Sequence, residues 1–246
     1  MKEPEIRKQW EDFITEYQEY FPDNPTIQKN IKPSSKSTTI KPKEEKSNST
    51  TNKQRQQSEY QELTKKMSIQ KSETTKTMFD NKPDLWIQYH DSRDFSFKGY
   101  DNQNEIPINK IISYLETKQK HRLTILDLGC GRNLIFNHFK ANNKFTIRGY
   151  DYVSFNGSIK ADISNLPEKD ESIKVCVYSQ SLMGSNWKDY LIEGKRVLEY
   201  NGEMIISESI ERYNIIKEYL KELEMTIIKD EYIETNRWFY IYAIKQ

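Results

Sequence analysis

A chain of 246 residues has room for one catalytic-sized domain and a tail, not for two large domains. Hydrophobic residues are only 35% of it and charged residues 30%, a lean balance that predicts some unfolded chain beside a packed core. No apolar run reaches the roughly 18 residues of a membrane span, residues 1–21 are too charged for a secretory signal, and Cys130 and Cys176 have no metal-ligand or disulfide spacing. A soluble, intracellular protein with no membrane segment and no metal site is expected.

The formal net charge of +1 conceals segregation: basic and acidic residues number 3 and 7 over 1–23, 12 and 5 over 24–78, and 23 and 25 over 79–246. Lysine is plentiful throughout, so its abundance says little about nucleic acid, whereas its concentration in one segment says more. Residues 1–23 hold Ile6, Trp10, Phe13, Ile14, Tyr17 and Phe21 at helical spacing after Pro4, which predicts an amphipathic helix over 4–21. It either docks on the folded domain or binds a protein partner. Residues 24–77 are rich in Ser, Thr, Lys, Gln and Asn, with Pro25, Pro33 and Pro42, and read as a disordered basic linker with one candidate nascent helix near 59–67.

Residues 78–246 form the predicted catalytic domain. Trp86, Tyr89, Phe95, Phe97 and Tyr100 mark its start, and Pro107 opens a helix through Ile111, Ile112 and Leu115. Buried strands are predicted over 123–128, 145–150, 173–179 and 203–207, with helices near 134–140, 187–198 and 212–222. Strands alternating with helices imply a mostly parallel, doubly wound α/β sheet. Two further strands, 225–233 and 238–244, are close enough in sequence to end it as an antiparallel pair.

The strongest local signal is Ile125-Leu126-Asp127-Leu128-Gly129-Cys130-Gly131, a strand running into Gly-x-Gly before a helix. Glycines there let backbone approach a ligand closely while the helix offers free N–H groups. Arg132 and Asn133 follow and the third glycine of a dinucleotide fingerprint is missing, which argues against a pyrophosphate turn, whereas Asp127 with Gly-Cys-Gly suits a nucleoside carrying an amino-acid moiety. Asp151 ends the next strand, 22 residues beyond Gly129, where a carboxylate would accept both ribose hydroxyls. Asp162 and Ile163 follow, suited to an exocyclic amine and to the face of a purine. The stretch Val177 to Trp187, polar and small at the end of a central strand, puts Ser181, Asn186 and Trp187 on the substrate side, with Tyr178 and Trp187 as candidates for base stacking. It lacks the Asn/Asp-Pro-Pro-aromatic tetrapeptide that grips an exocyclic amine, so a different target atom is favoured.

Over roughly residues 84–246 the chain resembles the ribosomal RNA-processing protein 8 methyltransferases. The likeness rests on Trp86-Ile87-Gln88-Tyr89-His90, Pro107-Ile108-Asn109, Asp127 to Gly131, Ala161-Asp162-Ile163, Ser181-Leu182-Met183-Gly184-Ser185-Asn186, Arg196-Val197-Leu198 and Glu208-Ser209. The resemblance implies a class I Rossmann-like methyltransferase fold. It implies S-adenosylmethionine touching His90, Gly129, Asp151, Asp162, Ile163 and Ser179, with Gly131 completing the glycine loop. It further implies methyl transfer to N1 of an unpaired adenine in large-subunit ribosomal RNA, in the nucleus and nucleolus. Two other functions stay open: methylation of a protein or small molecule in the same pocket, and a cofactor-binding nucleolar or chromatin scaffold without turnover.

Overall fold

The computed structural model describes residues 60–97, 106–118, 122–232 and 237–246, all within a compact unit running Ser47–Gln246. The expected helix over 4–21 and the first part of the expected linker lie outside the described residues. Residues 60–77, which composition assigns to the end of that linker, are almost entirely helical: α1 spans 60–69, where a nascent helix is expected, and α2 spans Ser72–Asn81, where none is. Two more helices, α3 (Pro83–Phe97) and α4 (Pro107–Glu116), each open on a proline, whose missing N–H costs nothing in a first turn.

Strands and helices then alternate: β1 Leu123–Leu128, α5 Leu134–Phe139, β2 Phe145–Asp151, β3 Ile159–Lys160, β4 Ile173–Ser179, α6 Trp187–Val197, β5 Leu198–Ser209, α7 Tyr213–Glu222, β6 Met225–Glu231 and β7 Trp238–Lys245. The seven strands lie in the order β3-β2-β1-β4-β5-β7-β6. The first five are parallel, and β7 is antiparallel to both β5 and β6. This is the expected sheet with its closing antiparallel pair, in which β5 runs from Leu198 rather than Glu203 and the strand ending near Asp162 is the two-residue β3, stopping at Lys160. The second strand of the hairpin, not the first, joins β5.

The central strands are buried on both faces, which is why they read as continuous apolar runs. Leu126, Leu128, Cys176, Tyr178, Met204 and Ile206 pack on the side of α6 and α7. Ile125, Val175, Val177 and Ile205 pack with Ile111 and Leu115 of α4 and Ile135 of α5 on the other. Side chains alternate along a strand, so Asp127 falls on the face of Ile125. Chain order reverses at β1: β2 and β3 lie to one side, β4 and β5 to the other. The carboxyl ends of β1 and β4 therefore diverge and leave a crevice.

A third apolar cluster lies apart from the two sheet faces. Met67, Phe79 and Trp86, from α1, α2 and α3, pack with Tyr152, Val153 and Phe155 after β2 and with Met183 after β4. A solvated linker would leave Met67 free, but it is 4% exposed. Met67→Ala should therefore destabilise the protein by about 2 kcal/mol or more, read as a lowered midpoint in urea; an unchanged midpoint would return residues 60–69 to the linker.

Candidate active site

At the crevice lies a hollow, partly open to solvent. The strand ends contribute Gly129 after β1, Asp151 and Tyr152 after β2, Ala161 and Ile163 after β3, and Gln180, Ser181 and Met183 after β4. The helices before the sheet contribute Met67, Thr75, Phe79, Trp86, Tyr89, His90 and Arg93.

Backbone forms one wall. Gly129 has φ +75°, and a Cβ there would lie 2.4 Å from Ser181 Cβ, so the loops after β1 and β4 touch only because that position is glycine. Asp151 joins three elements: its Oδ1 accepts from Trp86 Nε1 at 2.7 Å and from the Tyr152 N–H at 2.7 Å, and its Oδ2 from the Gly131 N–H at 2.8 Å. Burial raises the Asp151 carboxyl above the usual carboxylate range, and these donors pull the other way.

His90 stacks on Trp86, with ring centroids 4.2 Å apart, and approaches the glycine loop so closely that a Cβ on Gly131 would lie 2.7 Å from its Cε1. Burial, with Arg93 and Arg132 nearby, holds the imidazole well below its ordinary value, so it is neutral. Arg132 ion-pairs with Asp91 of α3, and its guanidinium lies 4.8 Å from the Phe155 ring. The side chain that follows Gly131 thus fastens α3 to the glycine loop. Arg93 Nη2 donates to Gln180 Oε1 at 3.0 Å.

Several buried polar atoms around the crevice have no hydrogen-bond partner: His90 Nδ1, Asp127 Oδ2, Ser179 Oγ, Gln180 Nε2 and Ser181 Oγ. Each such atom costs free energy unless something fills it. Of the residues singled out by sequence, His90, Gly129, Asp151, Ile163 and Ser181 line the one hollow. Gly131 and Ser179 adjoin it. Asp162 does not line it; its Oδ1 accepts from the N–H and hydroxyl of Ser164 at 2.9 and 2.8 Å and shapes the turn after β3.

The substrate-side candidates separate. Tyr178 is fully buried and donates its hydroxyl to the Tyr190 carbonyl, so it cannot stack on a base. Trp187 meets Tyr219 edge-on at 5.3 Å with the Arg212 guanidinium 5.2 Å from its ring, and Asn186 is engaged with α2. Sequence assigned no role to Met67, Thr75 and Phe79, because α2 turns only Ser72, Thr75 and Phe79 inward, a pattern without an apolar stripe. Among the described residues no three acidic, cysteine or histidine side chains cluster as metal ligands.

Asp127 is 1% exposed, and burial, then the Asp151 charge, pushes its carboxyl up to about 7 from an unperturbed 3.8. Between those values the folded protein keeps a proton that the unfolded chain has released, so stability falls as pH rises through that window and levels off above it. Asp127→Asn keeps the shape without the charge. Its melting temperature should gain on the wild type by several degrees between pH 5 and pH 7, for a relative gain of roughly 1 to 2 kcal/mol; a constant offset from pH 5 to 8 would remove the charge from the account.

A family model described as a hypothetical methyltransferase matches residues 46–246. The chain is 32% identical over 145 residues to the 25S rRNA (adenine(645)-N(1))-methyltransferase of Schizosaccharomyces pombe, covering 56% of this chain and 45% of that protein. It is 34% identical over 175 residues to ribosomal RNA-processing protein 8 of Dictyostelium discoideum, covering 68% and 42%. The chain thus spans less than half the length of these curated relatives. Among solved structures, the fold is similar to that of the [4+2]-cyclase SpnF, with a TM-score of 0.55 at 14% identity over 72% of this chain and 97% of that one. It is also similar to 1,6-didemethyltoxoflavin-N1-methyltransferase of Burkholderia thailandensis, with a TM-score of 0.54 at 15% identity over 67% and 86%. Since the matched residues hold the whole sheet and the hollow at its edge, the chain belongs to this methyltransferase family.

Proposed function

We infer that the hollow binds S-adenosylmethionine and that the chain transfers its methyl group to N1 of an unpaired adenine in large-subunit ribosomal RNA, in the nucleus and nucleolus. The observation that carries this reading is the convergence of Gly129, Asp151, Ile163, Ser181 and His90 on one hollow where His90 Nδ1, Gln180 Nε2 and Ser181 Oγ are buried without partners. The choice of RNA and of adenine N1 is supported by the relatives, two of which bear names specifying adenine N1 of 25S rRNA.

The residues present fit the cofactor. Asp151 offers a carboxylate for ribose hydroxyls, Ile163 an apolar surface for the purine, and Gly129 a backbone that a ligand can approach. The unpartnered Oδ2 of Asp127 suits an ammonium group. When bound, S-adenosylmethionine supplies a methyl group on a positively charged sulfur. A second positive charge in the hollow would disfavour such a cation, and the fold keeps the His90 imidazole that lines it neutral.

Adenine N1 carries a lone pair in its neutral form, so no general base has to remove a proton before attack. The task of the chain is alignment and exclusion of water, and alignment can contribute about 7 to 11 kcal/mol. N1 lies on the Watson-Crick edge, so the base has to enter unpaired or flipped. Gln180 Nε2 and Ser181 Oγ, both lining the hollow without partners, are the donors available to its remaining acceptor atoms.

Calorimetry with S-adenosylhomocysteine should show binding to the wild type and a loss of at least tenfold in Gly129→Ala, whose added Cβ would strike Ser181. Mass spectrometry of large-subunit rRNA from cells with and without the protein should show one N1-methyladenosine lost. Absence of heat with the wild type would overturn the cofactor assignment, and an unchanged RNA with intact binding would overturn the substrate.

A further inference from the structure

The string Ser181 to Asn186 is placed on the substrate side by sequence, yet in the fold its second half faces the helices that precede the sheet. Helix α2 has Lys71 at its N-cap and no side-chain hydrogen bond to close its first turn. Asn186 in turn stands at the N-cap of α6 and makes no cap bond to its own helix. Its carboxamide bridges side chains of its own helix and the start of α2: Oδ1 accepts the Ser72 N–H at 2.9 Å and the Tyr190 hydroxyl at 3.4 Å, and Nδ2 donates to Ser72 Oγ at 3.0 Å and to Asp189 Oδ2 at 3.2 Å. The cap that α2 lacks locally is supplied by a residue 114 positions away.

Neighbouring contacts close the same seam. The Ser185 N–H donates to the Gln70 carbonyl at 3.0 Å. A Cβ on Gly184 would lie 3.2 Å from that carbonyl oxygen and 2.9 Å from the Tyr190 hydroxyl, so the approach is close. Tyr89 donates its hydroxyl to Met183 Sδ at 3.3 Å. Met67 of α1, and Thr75 and Phe79 of α2, line the hollow on the helical side of this seam.

We propose that Asn186 is a positioning residue that caps α2 across the fold and thereby holds the α1–α2 wall of the hollow in place. It acts through Ser72, touching neither substrate nor cofactor. The consequence for cofactor affinity rests on the function proposed above, whereas the capping itself does not, and the test separates the two.

Amide hydrogen exchange on the unliganded full chain reads the cap directly. In Asn186→Ala the amides of the first turn of α2, Ser72 to Thr75, exchange at least tenfold faster while those of β1, β4 and β5 are unchanged. Asn186→Asp keeps an acceptor for the Ser72 N–H, with the Ser72 hydroxyl turned round to donate, and restores most of the protection. In parallel, calorimetry with S-adenosylhomocysteine shows about a tenfold weaker Kd for the alanine variant, recovered by aspartate. Turnover on RNA shows a raised KM for the cofactor with kcat held within about twofold. Unchanged exchange in α2, exchange raised equally throughout the sheet, or aspartate no better than alanine overturns the proposal. A wild type that binds no S-adenosylhomocysteine overturns the cofactor reading, and the exchange experiment still decides the cap.

Discussion

The carboxylate of Asp151 is the junction on which the site depends. It ends β2, yet it accepts hydrogen bonds from α3, from the glycine loop after β1 and from its own following residue. A buried carboxylate without donors would be expelled toward its neutral form, and here N–H groups from different elements are the only means of holding it. The requirement runs both ways. Trp86 is 1% exposed and needs a partner for its indole N–H, and the glycine loop needs an acceptor to keep its turn. Satisfying one buried charge thus fixes how α3 crosses the end of the sheet, and with it the position of His90 four residues on.

The parts of the molecule legible in sequence are those whose burial is uniform. β1 and β4 sit between two covered faces, and their runs of Ile, Leu, Val and Cys are unmistakable. Gly129 was legible because a backbone that touches Ser181 has no other residue to use. The covering helices were not. α2 buries two small polar residues and one phenylalanine, and hydropathy cannot distinguish that from solvated chain. Its cap lies at Asn186, far along the sequence, so no local pattern announces it. Asp162 failed to reach the hollow for an opposite reason: it lies where a carboxylate is commonly useful, but a serine two residues later offers it two hydrogen bonds, and the turn takes it.

The fold does not by itself name the chemistry. One solved structure with a similar fold is a [4+2]-cyclase and another an N1-methyltransferase. What the sheet provides is the divergence between β1 and β4, which places several strand ends around one space. The chemistry then depends on which side chains those ends carry and on what covers them. In this chain one wall of the hollow comes from helices that precede the sheet, so the segment least legible in sequence is among those that line the site.

The free energy left unspent around the hollow points the same way. His90 Nδ1, Asp127 Oδ2, Ser179 Oγ, Gln180 Nε2 and Ser181 Oγ are buried without partners, each at a cost of about 1 to 3 kcal/mol. Asp127 and Asp151 also share a low-dielectric site that raises both their carboxyls. A sequence selected for stability alone would replace such groups with apolar ones of similar shape. Their grouping at one sheet edge, beneath a wall capped from a distant loop, fits the proposed site, where a ligand with polar groups of its own would complete those hydrogen bonds.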